Sequence, residues 1–188
     1  MVAQEKLLTA EEFGKLPNDD DKKFELDEGV LVEVSPTKPR HTVLQGVFTY
    51  FLTAFIRTNN LVGVFGPELG CRLTPKTVRV PDVAFVSEAR LSNPNLDEFI
   101  PLGPDLVIEI ISPSDTAREI NKKIRQYFDA GSRLIWIVYP DDLEVYVYSG
   151  SRTNVKVINI EGVLDGEDVL PGFTLSMRDI FKGLTNEE

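Results

Sequence analysis

Cysteine, histidine and tryptophan each occur once in these 188 residues, and methionine only twice. The single cysteine, Cys71, cannot close an internal disulfide, which suits a reducing compartment. One cysteine and one histidine cannot build a zinc site of the usual Cys/His kind within the chain. Nor does any motif surround Cys71 that would pair it with His41 as nucleophile and base. No apolar run reaches the roughly 20 residues a membrane span needs. No glycine-rich phosphate loop of the P-loop or dinucleotide type is present. The opening stretch MVAQEKLLTAEEF carries acids where a secretory signal has a basic start, so a cytoplasmic location is expected. Basic residues are also in deficit: 20 Lys and Arg against 30 Asp and Glu give a net charge of −10. That opposes a broad positive surface neutralising phosphates along a nucleic acid. It leaves open an acidic site that meets a polyanion only with a cation in place.

What is present reads as an ordinary globular chain, 42% hydrophobic and 27% charged. A single domain over residues 1–188 is expected, burying roughly 70% of the unfolded surface. Thr9 and Glu12 form a T-x-x-E capping box for a short helix to about Lys15, ended by Pro17 and the acids Asp19 to Asp21. Residues 22–35 predict a hairpin of two half-buried strands turning at Asp27-Glu28-Gly29. From His41 to about Arg57 apolar residues recur at three- and four-residue intervals, an amphipathic helix. Strands are expected at 61–66, 69–74 and 78–86, then a polar loop over 87–104. LVIEII (106–111) suits a strand covered on both faces. Ser114 and Asp115 are the expected caps of a helix over about 116–130 that ends at Gly131. Strands LIWIVY (134–139), EVYVY (144–148) and 155–160 follow, then a helix near 176–183. The order predicts an α/β fold: a mixed central sheet flanked by helices, with strands 106–111 and 134–139 parallel.

Two acids sit awkwardly in this pattern. Asp82 interrupts VRVPDVAFV, and Glu109 interrupts LVIEII. A carboxylate buried unpaired among aliphatic residues loses several kcal/mol of hydration. Glu109 reads either as half of a structural ion pair with Arg79 or Arg125, or as a ligand for a cation. Asp82 reads either as a turn residue after Pro81 or as a second ligand. Held on neighbouring strands, the two would share a hard divalent ion such as Mg²⁺.

The chain resembles the PD-(D/E)XK nuclease superfamily, and within it a bacterial family of small stand-alone restriction-endonuclease-like proteins. The resemblance is carried by FELDEGVLVEVSP (24–36), His41 opening a helix, VRVPDVAFV (78–86), PDLVIEIISPSD (104–115), the helix segment with Lys123 and Tyr127, and GSRLIWIVYP (131–140). It runs from about residue 8 to 182 and implies a restriction-endonuclease-like core with an N-terminal β-hairpin. It implies a hydrolase: a Mg²⁺- or Mn²⁺-dependent endonuclease cutting nucleic acid, with DNA the expected partner. Asp82 and Glu109 become the metal ligands, with the Ile110 carbonyl a third oxygen. The E-x-K lysine position falls on Ile111, which cannot handle a proton, and the resemblance supplies Lys123 on the following helix instead. Glu25 and His41 match further catalytic positions, with Gln45 a weaker one. Ser112 and Ser114 are expected to shape a turn, and Tyr127 and Trp136 to serve packing. By analogy with nucleases of this size a homodimer is expected, with EVYVY a candidate interface strand. The alternative implied by Ile111 and the acidic charge is a catalytically silent binding or assembly module.

Overall fold

The expected capping box is formed: the Glu12 amide donates to Thr9, and the Glu12 carboxylate accepts from the Thr9 amide at 2.9 Å, opening helix α1 (Ala10–Phe13). The structure is a computed structural model that describes residues 7–17, 22–91 and 93–184. The acidic run expected to end α1 lies outside the described residues, although Pro17 lies within them. Strands β1 (Lys23–Asp27) and β2 (Val30–Val34) form the predicted hairpin. Its turn is only Glu28-Gly29, both at positive φ (53° and 91°), the two-residue type I′ geometry that matches strand twist. Half-burial was expected of both arms. Instead every residue of β2 is exposed, because β2 is the outer strand of its sheet.

Helix α2 (Pro39–Thr58) begins two residues before His41, since Pro39 is preorganised for the first helical turn. Leu44, Phe48, Leu52 and Ile56 form its buried stripe at four-residue spacing. Strands β3 (Gly63–Pro67) and β4 (Cys71–Thr74) follow. The strand expected over 78–86 is two strands, β5 (Thr77–Arg79) and β6 (Val83–Ser87), in different sheets. Pro81 falls between them; it has no amide to donate and fixes its own φ, so one continuous ladder cannot pass through it. Asp82 is therefore not inside a strand but at the junction of two sheets.

Beyond the polar loop come β7 (Leu106–Ile110), α3 (Ala117–Asp129), β8 (Leu134–Tyr139), β9 (Glu144–Ser149) and β10 (Val155–Ile158). Thr116, not Ser114 or Asp115, caps α3, in a second capping box with Glu119; Asp115 instead accepts from the Ser112 amide. A short pair, β11 (Val163–Asp165) and β12 (Thr174–Ser176), and helix α4 (Met177–Ile180) close the described chain. That pair was not anticipated from the sequence.

Among the described residues the strands form sheets of order β2-β1-β5-β4, β10-β9-β8-β7-β6-β3 and β11-β12. As expected, β7 and β8 are parallel, with Glu109 opposite Ile137, and the other pairings of the six-stranded sheet are antiparallel. Because β9 is flanked by β8 and β10, EVYVY offers no free edge for an interface. Alternation along β7 sends Leu106, Ile108 and Ile110 into the core that holds the α2 stripe and Trp136. Val107 goes into a second core with Ile120, Ile124 and Tyr127 of α3. Glu109 has the parity of Val107, and so it points toward α3.

Candidate active site

An acid on the α3 face of a central strand meets whatever the helix presents one turn apart, and that is Lys123 and Tyr127. Lys123 Nζ lies 3.0 Å from Glu109 Oε2, and the Tyr127 hydroxyl donates to Glu109 Oε1 at 2.6 Å. Glu109 thus pairs with neither Arg79 nor Arg125, and Tyr127, expected to serve packing, binds the carboxylate as well. The lysine–tyrosine spacing of i, i+4 signals one helix face and was legible beforehand. Lys123 also approaches Glu25 Oε2, at 3.7 Å.

Glu25 is buried in β1. Its Oε2 accepts from Arg79 Nη1 at 2.8 Å and its Oε1 from the Val80 amide at 2.9 Å. Arg79 spans further, to Asp27 at 2.9 Å and to the Gln126 amide oxygen. Asp27 in turn receives Lys122 at 2.8 Å. Asp27, Lys122 and Gln126 escaped the sequence reading as site residues because each sits in an unremarkable polar position of its own element, and Arg79 was weighed only as a partner for Glu109, whereas it pairs with Glu25 and Asp27.

The junction after Pro81 aims Asp82 at the end of β7. Its Oδ2 accepts from the Ile110 amide at 2.6 Å, and its Oδ1 lies 2.8 Å from His41 Nε2. Gln45, one turn after His41, donates to the Asp82 carbonyl at 2.9 Å. Six of the expected residues, Glu25, His41, Gln45, Asp82, Glu109 and Lys123, are therefore brought into one region. Trp136 faces the opposite core. Asp82, Phe13, Phe24, Leu31, Val34 and Phe99 help line a groove of about 1020 Å³.

The electrostatics follow from burial and crowding. Burial pushes the Glu109 carboxyl above its ordinary range; Asp82 and Glu25 push it further, while Lys123 and Tyr127 pull against them. Burial works against the Lys123 charge, but Glu109 and Glu25 outweigh it and hold the ammonium above its usual value. The hydrogen bond to Asp82 raises His41, against a smaller opposing effect of burial.

Two neighbouring carboxylates beside a strand terminus suit Mg²⁺, which commonly takes one or two carboxylates and keeps waters. The mutual repulsion of Glu109 and Asp82 is the destabilisation a cation would relieve. In donor type the residues fit. Among the described residues, however, no group of three or more His, Cys, Asp or Glu side chains is gathered as a metal-ion cluster.

Comparison with known proteins settles the lineage. The profile of the Uma2 family, described as "Putative restriction endonuclease", matches residues 10–178. The chain belongs to the Uma2 family. Its fold is that of the PD-(D/E)XK-like, restriction-endonuclease-related proteins, as the resemblance implied. A solved structure described as "a putative nuclease belonging to DUF820" from Anabaena variabilis superimposes with a TM-score of 0.80 at 22% identity, over 93% of this chain and 97% of that one. No curated protein matches this Uma2 chain. None of its described helices is long and apolar enough to cross a membrane.

Proposed function

We propose that this Uma2 protein engages nucleic acid, and that its carboxylate network rests closed by its own ion pairs, with cleavage conditional on a divalent cation. One observation carries the reading: both oxygens of Glu109 are occupied, one by Lys123 and one by Tyr127. As it stands, this closed network favours a catalytically silent binding or assembly module. The identity of the gathered residues, with Asp82, Glu109, Lys123 and His41 together, favours a hydrolase.

In the hydrolytic reading Asp82, Glu109 and the Ile110 carbonyl would hold the cation. Bound there, Mg²⁺ or Mn²⁺ supplies polarisation of a phosphate oxygen and acidification of a water. Lys123, beside Glu109, would supply a positive charge for the negative charge gathering on phosphorus, the role that Ile111 cannot fill. Tyr127 keeps the second Glu109 oxygen oriented from inside the core. His41, anchored on Asp82 and raised by that hydrogen bond above its ordinary value, would exchange a proton beside the site. Glu25 and Arg79 position Lys123 through the buried pair behind it. A homodimer would present two such sites to the two strands of DNA, and light scattering during size exclusion measures it.

The deciding experiment incubates the protein with single-stranded DNA, duplex DNA and RNA in Mg²⁺, Mn²⁺ or EDTA. The hydrolase predicts cleavage that needs the cation and vanishes in Asp82→Asn and Glu109→Gln, with circular dichroism unchanged. A silent module predicts binding without cleavage in every metal tested. Cleavage that survives in either variant would sink the assignment of those two acids.

A further inference from the structure

Acids outnumber bases in this chain, yet one cleft collects cations. A cavity of about 550 Å³ beside the outer face of α3 is lined by Arg118, Lys122, Arg125, Arg152, Tyr148 and the lone acid Glu28, among others. Lys122 is already held by Asp27 at 2.8 Å and Glu28 at 3.3 Å. The guanidinium groups of Arg118, Arg125 and Arg152 make no ion pair among the described residues, and all three residues are exposed.

Their placement follows from helical geometry. Arg118, Lys122 and Arg125 recur at four- and three-residue spacing, which puts them on one stripe of α3. Ile120, Ile124 and Tyr127 occupy the buried side, while Lys123 reaches inward to Glu109. Arg152, in the β9–β10 connection, and the half-buried Tyr148 of β9 complete the cleft from the sheet side. Like charges one helical turn apart repel, and of the three on this stripe only Lys122 has counter-charges, Asp27 and Glu28, so Arg118 and Arg125 are left to meet an anion. Guanidinium forks match phosphate oxygens in a bidentate geometry that a lysine cannot offer. An aromatic ring beside them offers a face on which a base can stack. Lys122, which lines the cleft and is held by Asp27, links it to the carboxylate network reached from the other side of the helix. A chain of regularly repeated phosphates is an anion long enough to touch both.

We infer that the cleft of Arg118, Arg125 and Arg152 beside Tyr148 docks the phosphate backbone of a nucleic-acid strand, outside the Glu109–Asp82 site. The inference rests on the reading that the protein engages nucleic acid; it does not depend on cleavage. It also reconciles that engagement with a net charge of −10: the binding surface is confined to one cationic cleft.

The test measures anisotropy of a labelled single-stranded oligonucleotide in EDTA across a salt series, for the full chain and the triple variant Arg118→Gln/Arg125→Gln/Arg152→Gln. The variant is expected to bind about tenfold or more weakly at low salt. Its salt slope should fall by about 0.7 for each phosphate of the single strand that it no longer neutralises. Its urea midpoint should match the parent's, since all three side chains are exposed. Arg57→Gln, on another helix and also without an ion pair among the described residues, should bind as the parent does. Parental affinity and slope in the triple variant would overturn the cleft while leaving nucleic-acid engagement standing. A parent that binds tripolyphosphate in the cleft but no oligonucleotide would overturn both. Binding without cleavage in any metal would retire the hydrolase alone and support the cleft if the triple variant is weakened.

Discussion

On the α2 side of the six-stranded sheet, Leu106, Ile108 and Ile110 share a core with Phe48, Leu52 and Trp136; on the α3 side, the alternate residues of the same strand are Val107 and Glu109, near Ile124, Lys123 and Tyr127. The first face is apolar throughout, and its residues are interchangeable in kind if volume is kept. The second is half oil and half ion pair, and its residues are not. A single strand serves both because its side chains alternate, so one substitution can strike the fold without the site or the site without the fold.

The largest effect expected is on the apolar face. Trp136→Ala, fully buried, should cost about 3–5 kcal/mol in urea unfolding. That is a large part of the roughly 5–15 kcal/mol typical of a domain. A loss under about 1 kcal/mol would deny that this face holds the molecule together.

Lys123→Met comes next, because it strands Glu109 without its cation. A loss of about 2–3 kcal/mol is expected, below the figure for a fully buried pair because Lys123 keeps 28% of its side chain exposed. The sign with pH is specific. Glu109 already holds its proton more tightly when folded than its ordinary 4.5, and losing Lys123 tightens it further. The variant's deficit should therefore be smallest below pH 4.5 and grow as pH rises through the raised folded value. Adding Glu109→Gln should return part of the loss; a double variant no better than the sum of the two singles would show that the pair is not coupled.

Asp82→Asn is milder, about 1 kcal/mol, since the amide keeps the shape and one hydrogen bond. Here the sign reverses in origin. His41 is raised above 6.5 by Asp82, so their pairing stabilises below 6.5 and fades as pH rises through the raised value. In the variant the His41 proton resonances should titrate at lower pH than in the parent, and an unmoved titration would exclude the pairing. Smallest of all is a control belonging to neither face. Cys71 is buried, and burial pushes its thiol up to about 12, so disulfide reagents at about pH 8 should label it only after urea is added.

The residues that stood out in the sequence are ones the structure gathers, but their pairings were not legible there. Glu109 stood out because a charge inside LVIEII is costly, and Asp82 because it followed Pro81 in apolar sequence. The same Pro81 was read too lightly: it divides the strand expected over 78–86 and so places Asp82 at a junction. Tyr127 was assigned to packing on its ring, although its spacing from Lys123 already placed both on one face. The capping residue of α3 was misplaced because Ser114, Asp115 and Thr116 are all competent caps, and only the path of the chain from β7 chooses among them.

Period, capping and turn chemistry act between near neighbours, and for that reason the chain by itself determined the α2 stripe, the Glu28-Gly29 hairpin, the parallel β7–β8 unit and the presence of an anomalous acid in β7. Partnership acts through space. Glu25 finds Arg79 across 54 residues, Lys122 finds Asp27 across 95, and the Ile110 amide finds Asp82 across 28. Those pairings depend on which faces two distant elements turn toward each other, and only packing of the two sheets and α3 decides that.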